Sequence, residues 1–565
     1  MSAASSIKSV PAEKKPSEPI DNVRQKIEDA RSADLVFAIA AHLGSGESTV
    51  TKMLVEELTK SFDYETHVID ASELILDTSE RVNIVYRKGD GRLNRTEELQ
   101  EKGDRLREKF GKGIISGLAI QKIGRKRNEK ADSTKPLAFI VDSLKHPDEV
   151  DVLRDVYGEA FFLISIVCNM EARLARLSQQ NKYGQDITKG LINKDHLEQR
   201  IMEIMKRDEA DVSKKDYGQQ VRKTLHRADY FVNNSDVSKT IGPQIQRLLR
   251  IIFGQEIERP NKDERGIYAA WGAAMRSACL SRQVGAAVMS SRGEIVSTGS
   301  NDVPQFDGGL YSLSSDDGMS GEERNNRDHR CHNTDIQTHS EQLIQISRLN
   351  SPGTSGINHH GKTAYCRNDL VKQTIYEDIF ERLTAESLLS GSATLEIVRA
   401  AIESTRIKDL VEYSRAIHAE MDALLSLTRS SGSSPVGGTI YCTTYPCHNC
   451  ARHIVAAGIH EVVYIEPYPK SMALVLHSDS IEETVLPYTE NEHRQKVRFR
   501  LFSGVAPRRY ADLFEKRTEI KDKGFLVKSR KRHRDPSFNK SFLDLEKSIA
   551  EQVETDISTP STSGS

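Results

Sequence analysis

His418 and Glu420 stand two residues apart in "RAIHAEMDALLSL", and Cys447 and Cys450 three apart in "TTYPCHNCARHIVAAG". Imidazole nitrogen and cysteine sulfur are donors that zinc favours. Pro446 suits a helix start, and the i, i+3 spacing puts both sulfurs on one helix face. With His418 they make a His₁Cys₂ set with a fourth position left for water, as catalytic zinc sites require. Two helix N-termini directed at the sulfurs stabilise their negative charge. Glu420, beside the ligand at a helix start, is then the expected proton carrier. Either half alone says little: H-x-E is common on helix surfaces, and C-x-x-C also serves redox and structural-metal sites. A closed structural zinc would need a fourth ligand, such as His448 or His453.

These residues need elements to hold them. Residues 415–427 read as a helix whose inner face is Ile417, Met421, Leu424 and Leu425, the spacing of a buried stripe. Strand "GTIYCT", helix "HNCARHIVAAG", strand "EVVYIE" and a late strand in "VRFRLFS" follow. Upstream, 264–280 reads as a helix, and "QVGAAVMSSRGEIVSTG" as a β-hairpin turning at Ser-Arg-Gly. Between hairpin and opening helix, 303–414 is too long for a bare loop and reads as an insertion, loop-like first and helical later. It carries His329, Cys331, His332 and His339, with Cys366 further on. They read as a second structural zinc or, more simply, as scattered surface His and a buried Cys.

The order H-x-E…P-C-x-x-C is the signature of zinc nucleobase deaminases. On "HAE", "TTYPCHNCA", "RSACLSRQVGAAV" and "STGSND", residues 264–504 resemble the cytidine and deoxycytidylate deaminase superfamily. The resemblance implies a three-layer α/β/α domain with Zn²⁺ on His418, Cys447 and Cys450, and Glu420 as proton shuttle. It also implies that Asn301 contacts the sugar and that the Ala419 backbone amide helps hold the base. Arg282 becomes a candidate phosphate contact, with a surface salt bridge as an equal alternative. The insertion is longer than that of a plain deoxycytidylate deaminase and bears on the substrate mouth.

Residues 34–250 alternate strands and helices, as a mainly parallel α/β domain does. "DLVFAIA", "PLAFIVDS", "EAFFLISIV" and "ADYFVNN" are the strands, with helices such as 148–157 and 195–209 over the faces. "AAHLGSGEST" lies between strand and helix, the setting of a phosphate loop. Gly44, Ser45 and Gly46 would bring backbone amides to an anion, Ser48 or Thr49 would touch a metal or phosphate, and Asp142 resembles a Walker-B acid. Ala41 and Glu47 depart from the pattern: the second puts a carboxylate where a lysine belongs, which argues against phosphoryl transfer. A nucleotide-sensing site and a vestigial fold used for interaction both remain open.

Across all 565 residues, 80 Lys+Arg face 82 Asp+Glu, which leaves no footprint for a long polyanion. The longest apolar run, "AFFLISIV", falls short of a membrane span, and the N-terminus lacks a secretory h-region. Seven Cys in such a chain do not make a disulfide framework, so a cytoplasmic protein is expected. The expected layout is a disordered tail (1–20), a P-loop kinase-like domain (21–255), a deaminase domain (260–510), an extension (511–550) and a second disordered tail (551–565). Fused in this order, and with "VDSLKHPDEVDVLRDVYG", "NDVP", "YPKSMALVLHSDSI" and "GVAPRRY", the chain resembles the bacterial anti-phage dCTP/dCMP deaminases. That resemblance implies removal of the 4-amino group from free deoxycytidine nucleotides, with loss of dCTP starving phage replication. It also implies a homo-oligomer and an inhibitory RNA, to which the basic "KSRKRHRD" adds a hint; the phosphate loop adds a regulatory nucleotide at the N-terminal domain as a further expected partner. The alternatives are a polynucleotide deaminase acting on cytosine or adenine in RNA or single-stranded DNA, a housekeeping deoxycytidylate deaminase, and a non-catalytic nucleotide sensor. Balanced charge weighs against the first, and Glu420 beside three donors against the last.

Overall fold

The computed structural model describes residues 31–130, 135–179, 182–209, 216–235, 241–254, 257–311, 366–429, 433–468, 470–483, 495–515 and 542–558, with short strands at 521–522, 525–526 and 538–539. Among them no helix is long and apolar enough to cross a membrane. His329, Cys331, His332, His339, the basic "KSRKRHRD" run and the first tail lie outside the described residues.

The N-terminal unit is built on continuous apolar runs, the pattern of strands buried on both faces. β1 (Leu35–Ala41) is buried at every residue and leads through a turn into α1 (Glu47–Ser61). β2 (Glu65–Asp70), α2 (Ile114–Glu129), β3 (Leu137–Leu144), α3 (Pro147–Tyr157), β4 (Phe161–Val167), α4 (Met170–Leu177), α5 (Lys194–Glu209), β5 (Tyr230–Asn233) and α6 (Ile241–Phe253) follow. β5, β4, β1, β3 and β2 are parallel and adjacent in that order. β2 was not read from the sequence: in "ETHVID" only Ile69 is buried, so it shows no apolar run.

The second unit runs α7 (Lys262–Ala274), β6 (Gly285–Met289), β7 (Ile295–Ser300), the insertion helices α8 (Arg367–Ala385) and α9 (Leu395–Glu403), α10 (Ala419–Arg429), β8 (Thr439–Thr444), α11 (His448–Ala456), β9 (Glu461–Glu466), β10 (Ile481–Glu483) and β11 (Val497–Leu501). Its sheet order is β10-β11-β9-β8-β6-β7, with β6 antiparallel to both its neighbours, β7 and β8, and the remaining pairs parallel. Two glycines set its layers. A Cβ on Gly285 would lie 1.9 Å from the Ala270 carbonyl of α7, and one on Gly299 2.2 Å from the Ala419 carbonyl of α10. Gly285 pairs with Ser300 and Ala286 with Gly299, so the two glycines face opposite sides of the pleat. Hence α7 covers one face and α10 the other, an α/β/α sandwich. The expected helix 264–280 stops at Ala274, because the chain must turn there to enter β6. α8 and α9 share a small apolar core at Tyr376, Val398 and Ile402.

The units are not sequential along the chain. β12 (Gly504–Val505), in the stretch assigned to the second domain, pairs antiparallel with β5 of the first. α12 (Phe542–Ser558) places Phe542, Val553 and Ile557 in the N-terminal core, and the Tyr157 hydroxyl donates to Glu546 at 2.7 Å. The expectation of a structureless tail from residue 551 is corrected: the stripe Phe542, Glu546, Val553, Ile557 keeps helical spacing through the Ser/Thr-poor part and buries against α2. Glu264, at the start of α7, accepts both Arg247 nitrogens (2.7 and 2.8 Å) and the Val505 N–H, tying the units together.

Candidate metal centre and active site

Three donors converge where α10 and α11 begin. His418 Nδ1 lies 3.3 Å from Cys447 Sγ and 3.4 Å from Cys450 Sγ. Among the described residues this is the group of three whose ligand atoms all lie within 4.8 Å of one another. Cys447 is the N-cap of α11, and the Cys450 N–H donates to its sulfur at 3.5 Å. A hydrogen bond from the Cys450 side chain, and then the His418 ring, hold the Cys447 thiol down to about 4 against the push of burial. A thiolate pair with an imidazole at a helix N-terminus is the donor chemistry zinc takes. His453 instead turns Nδ1 to the Asn449 carbonyl (2.6 Å), and neither it nor His448 joins the cluster. The residues therefore fit zinc, and among the described residues no fourth donor joins the three.

Glu420 is buried beside them, in the first turn of α10. Burial raises its carboxyl above the usual range, against the opposing pull of His418. The inner face of α10 differs from the expected stripe: Ala419, Glu420, Ala423, Leu424 and Leu427 are buried, while Leu425 is 40% exposed. Contact with Gly299 fixes this phase, since a small-residue face must meet the strand. Asp422 completes the docking by accepting the Ser300 N–H (3.1 Å), and Ser297 donates to the Ala423 carbonyl (2.8 Å). Asp302 prepares the approach: its carbonyl accepts the Ile417 N–H at 2.9 Å and its carboxylate the Ala278 N–H. Neither aspartate was singled out from the sequence; Asp422, polar among buried helix positions, was the available signal.

The donors open into a cavity of about 240 Å³. His418, Ala419 and Glu420 line one wall, Asn301, Arg282 and Thr444 another, and Cys366, Asn368 and Val411 of the insertion a third. The structure thus brings together His418, Ala419, Glu420, Cys447, Cys450, Asn301 and Arg282. Asn301 is clamped, accepting the Val284 N–H (2.6 Å) and donating to the Arg282 carbonyl (2.8 Å). Arg282 donates to Thr444 Oγ1 (2.9 Å) and forms an ion pair with Glu466, so the salt-bridge alternative is realised in this state.

The N-terminal loop is organised differently. Gly44 and Gly46 both take positive φ (85° and 83°), and Gly46 caps α1. Ser45 is buried with its hydroxyl unpartnered, whereas Ser48 and Thr49 are exposed. Thr51, not Ser48 or Thr49, bonds Asp142 (2.8 Å). Burial, then the nearby Glu47 charge, push Asp142 up to about 6. The Leu43 N–H is taken by buried Asp208 (2.8 Å), which also pairs with Lys145 (3.2 Å). Burial opposes its charge, yet Lys145, His42 and the Leu43 amide hold Asp208 well below the usual carboxylate range. Lys145 donates to the Ala41 carbonyl (2.7 Å), Arg173 to that of Leu43 (3.0 Å) and Asn234 to that of Ser45 (2.6 Å).

Residues 391–466 match the family model described as cytidine and deoxycytidylate deaminase zinc-binding region. The deoxycytidylate deaminase of Enterobacteria phage T2 is 47% identical over 55 residues, 10% of this chain and 29% of that protein. ComE operon protein 2 of Bacillus subtilis (strain 168) is 46% identical over 55 residues, again 10% and 29%. The chain thus spans less than a third of the length of these relatives. Among solved structures, the apo dCMP deaminase of cyanophage S-TIM5 aligns at 15% identity and TM-score 0.19, covering 43% of this chain and 100% of that one. Shikimate kinase from Acinetobacter baumannii aligns at 14% and 0.21, covering 41% and 99%. The C-terminal half therefore carries a cytidine and deoxycytidylate deaminase zinc-binding region, in which His418, Cys447 and Cys450 are placed to hold the ion.

Proposed function

We propose that the chain hydrolytically deaminates free deoxycytidine nucleotides, dCTP to dUTP and dCMP to dUMP. The observation that carries this reading is a buried carboxyl, Glu420, beside three converging zinc donors in one cavity. His418, Cys447 and Cys450 would hold a zinc ion, which would supply the Lewis acidity that makes water nucleophilic near neutral pH. Glu420 takes one proton from the attacking water and gives it to ring nitrogen N3 as oxygen adds to C4. It then carries the second proton to the 4-amino group; the C4–N bond breaks with its electron pair, and ammonia leaves. Asn301 and the Ala419 amide orient the sugar and base, and Arg282 faces the phosphates.

Cys366, Asn368 and Val411 of the insertion wall the cavity on one side, which supports a free nucleotide rather than a polymer as the substrate. Near-neutral charge points the same way. In a cytoplasmic, homo-oligomeric enzyme this activity would lower dCTP and so restrict phage replication, with a nucleotide or an RNA as regulator. The test assays purified chain on dCTP, dCMP, CTP and a cytosine-containing single-stranded oligonucleotide. Deoxyuridine nucleotides are expected from the first two; preference for the oligonucleotide would sink the reading.

A further inference from the structure

Arg282 does not reach the cavity wall alone. Its guanidinium is shared between Thr444 Oγ1 and the Glu466 carboxylate, and Thr444 itself donates to Glu466 at 3.3 Å. Thr444 and Glu466 face each other across the β8–β9 register, so the sheet fixes both partners. The same Glu466 oxygen has a further neighbour: His226 Nε2 lies 3.2 Å away. His226 belongs to the N-terminal unit. It follows the short helix Val221–Leu225 and precedes β5. Its turn is held by Arg154, which donates to the Arg227 carbonyl (2.9 Å) and pairs with Asp229, and by the Ala506 N–H on the Asp229 carbonyl (3.0 Å).

The Glu466 side chain is 6% exposed, against 41% for Arg282 and 43% for His226. A buried carboxylate is poorly screened, so two donors on one oxygen compete for its charge. Burial opposes ionisation of Glu466, but His226 and Arg282 outweigh it and hold the group below the usual range. Paired to Arg282 alone, the carboxylate would cancel most of the guanidinium charge that a phosphate could use.

We propose that His226 is a positioning residue for the phosphate end of the substrate: by donating to Glu466 it draws charge away from Arg282 and sets how much guanidinium is left for a nucleotide phosphate. Through this contact the N-terminal unit tunes nucleotide affinity in the deaminase cavity. The inference rests on the reading of Arg282 as the phosphate contact.

A double-mutant cycle in the full chain tests it, with dCMP as substrate and deoxycytidine as substrate or competitor. His226→Ala is expected to raise KM for dCMP roughly three- to tenfold, with kcat within about twofold and the deoxycytidine constants unchanged. His226→Gln, which keeps a donor, is expected to restore most of the loss. In an Arg282→Ala background the His226→Ala effect should vanish. If Arg282→Ala itself leaves the dCMP-to-deoxycytidine preference intact, the phosphate reading of Arg282 fails and this inference with it. If Arg282→Ala removes that preference but His226→Ala has no effect, or an equal effect on both compounds or in both backgrounds, the inference alone is overturned.

Discussion

Two strand-to-helix junctions in this chain could each hold a charged ligand, and they answer the same problem in opposite ways. At the start of α11, Cys447, Cys450 and His418 bring three donor atoms within 4.8 Å of one another, and among the described residues no fourth His, Cys, Asp or Glu joins them. At the start of α1, the chain's own polar side chains bond the loop: Asp208 takes the Leu43 amide, while Lys145, Arg173 and Asn234 donate to carbonyls. The first junction gathers donors suited to a metal ion; the second bonds the Leu43 amide and three loop carbonyls to the rest of the chain. Similar local geometry therefore says little about ligand binding until the partners of each polar group are counted.

The sharpest way to break this contrast is Glu420→Gln. Deamination of dCTP or dCMP is expected to fall by at least about 10³-fold with zinc content by mass spectrometry unchanged. Retained activity would remove Glu420 from the reaction. Cys447→Ala comes next. Bound zinc after dialysis is expected to drop well below the parent's, with metal affinity weakened by about 100-fold or more. Unchanged stoichiometry would mean that Cys447 is not a ligand.

The other junction is probed by stability. Asp208→Ala leaves half-buried Lys145 without its paired carboxylate and the Leu43 amide without an acceptor. A loss of about 3–5 kcal/mol in urea unfolding is expected; a loss below about 1 kcal/mol would show that Asp208 does not hold the loop.

The smallest effect is pH-dependent. Asp142 is raised to about 6 from the ordinary 3.8, so the folded state binds its proton more tightly than the unfolded chain does. Its stabilising contribution is present below pH ~4 and lost as pH rises through ~6, at a cost of up to about 3 kcal/mol. Asp142→Asn should therefore stabilise the protein at pH 8 and do much less at pH 5. Equal shifts at both pH values would place the Asp142 titration elsewhere.

Much of this could be read from the chain alone, for a physical reason. His418, Glu420, Cys447 and Cys450 are costly to bury without a task, and their spacing already puts them at helix starts. The continuous apolar runs of β1, β3 and β4 likewise announced buried strands. What stayed hidden depends on packing between distant segments. Met421 and Leu425 fit a stripe as well as Ala419 and Ala423, and only Gly299 on a strand far upstream decides between them. Asp208 meets Leu43 across 165 positions, and no local pattern marks that pair. His226 and Glu466 each look like ordinary surface residues until two units are brought together.

The last helix, α12, completes the core that β1 begins. During translation that N-terminal core must wait, incomplete, until residues 542–558 leave the ribosome. Protein synthesis usually favours folding one domain before the next. Here the whole second unit is made while the first still exposes the apolar ground beneath Phe542, Val553 and Ile557. The order of assembly is circular, and a chain stopped after the zinc donors would carry every reactive residue with its first half still unsealed.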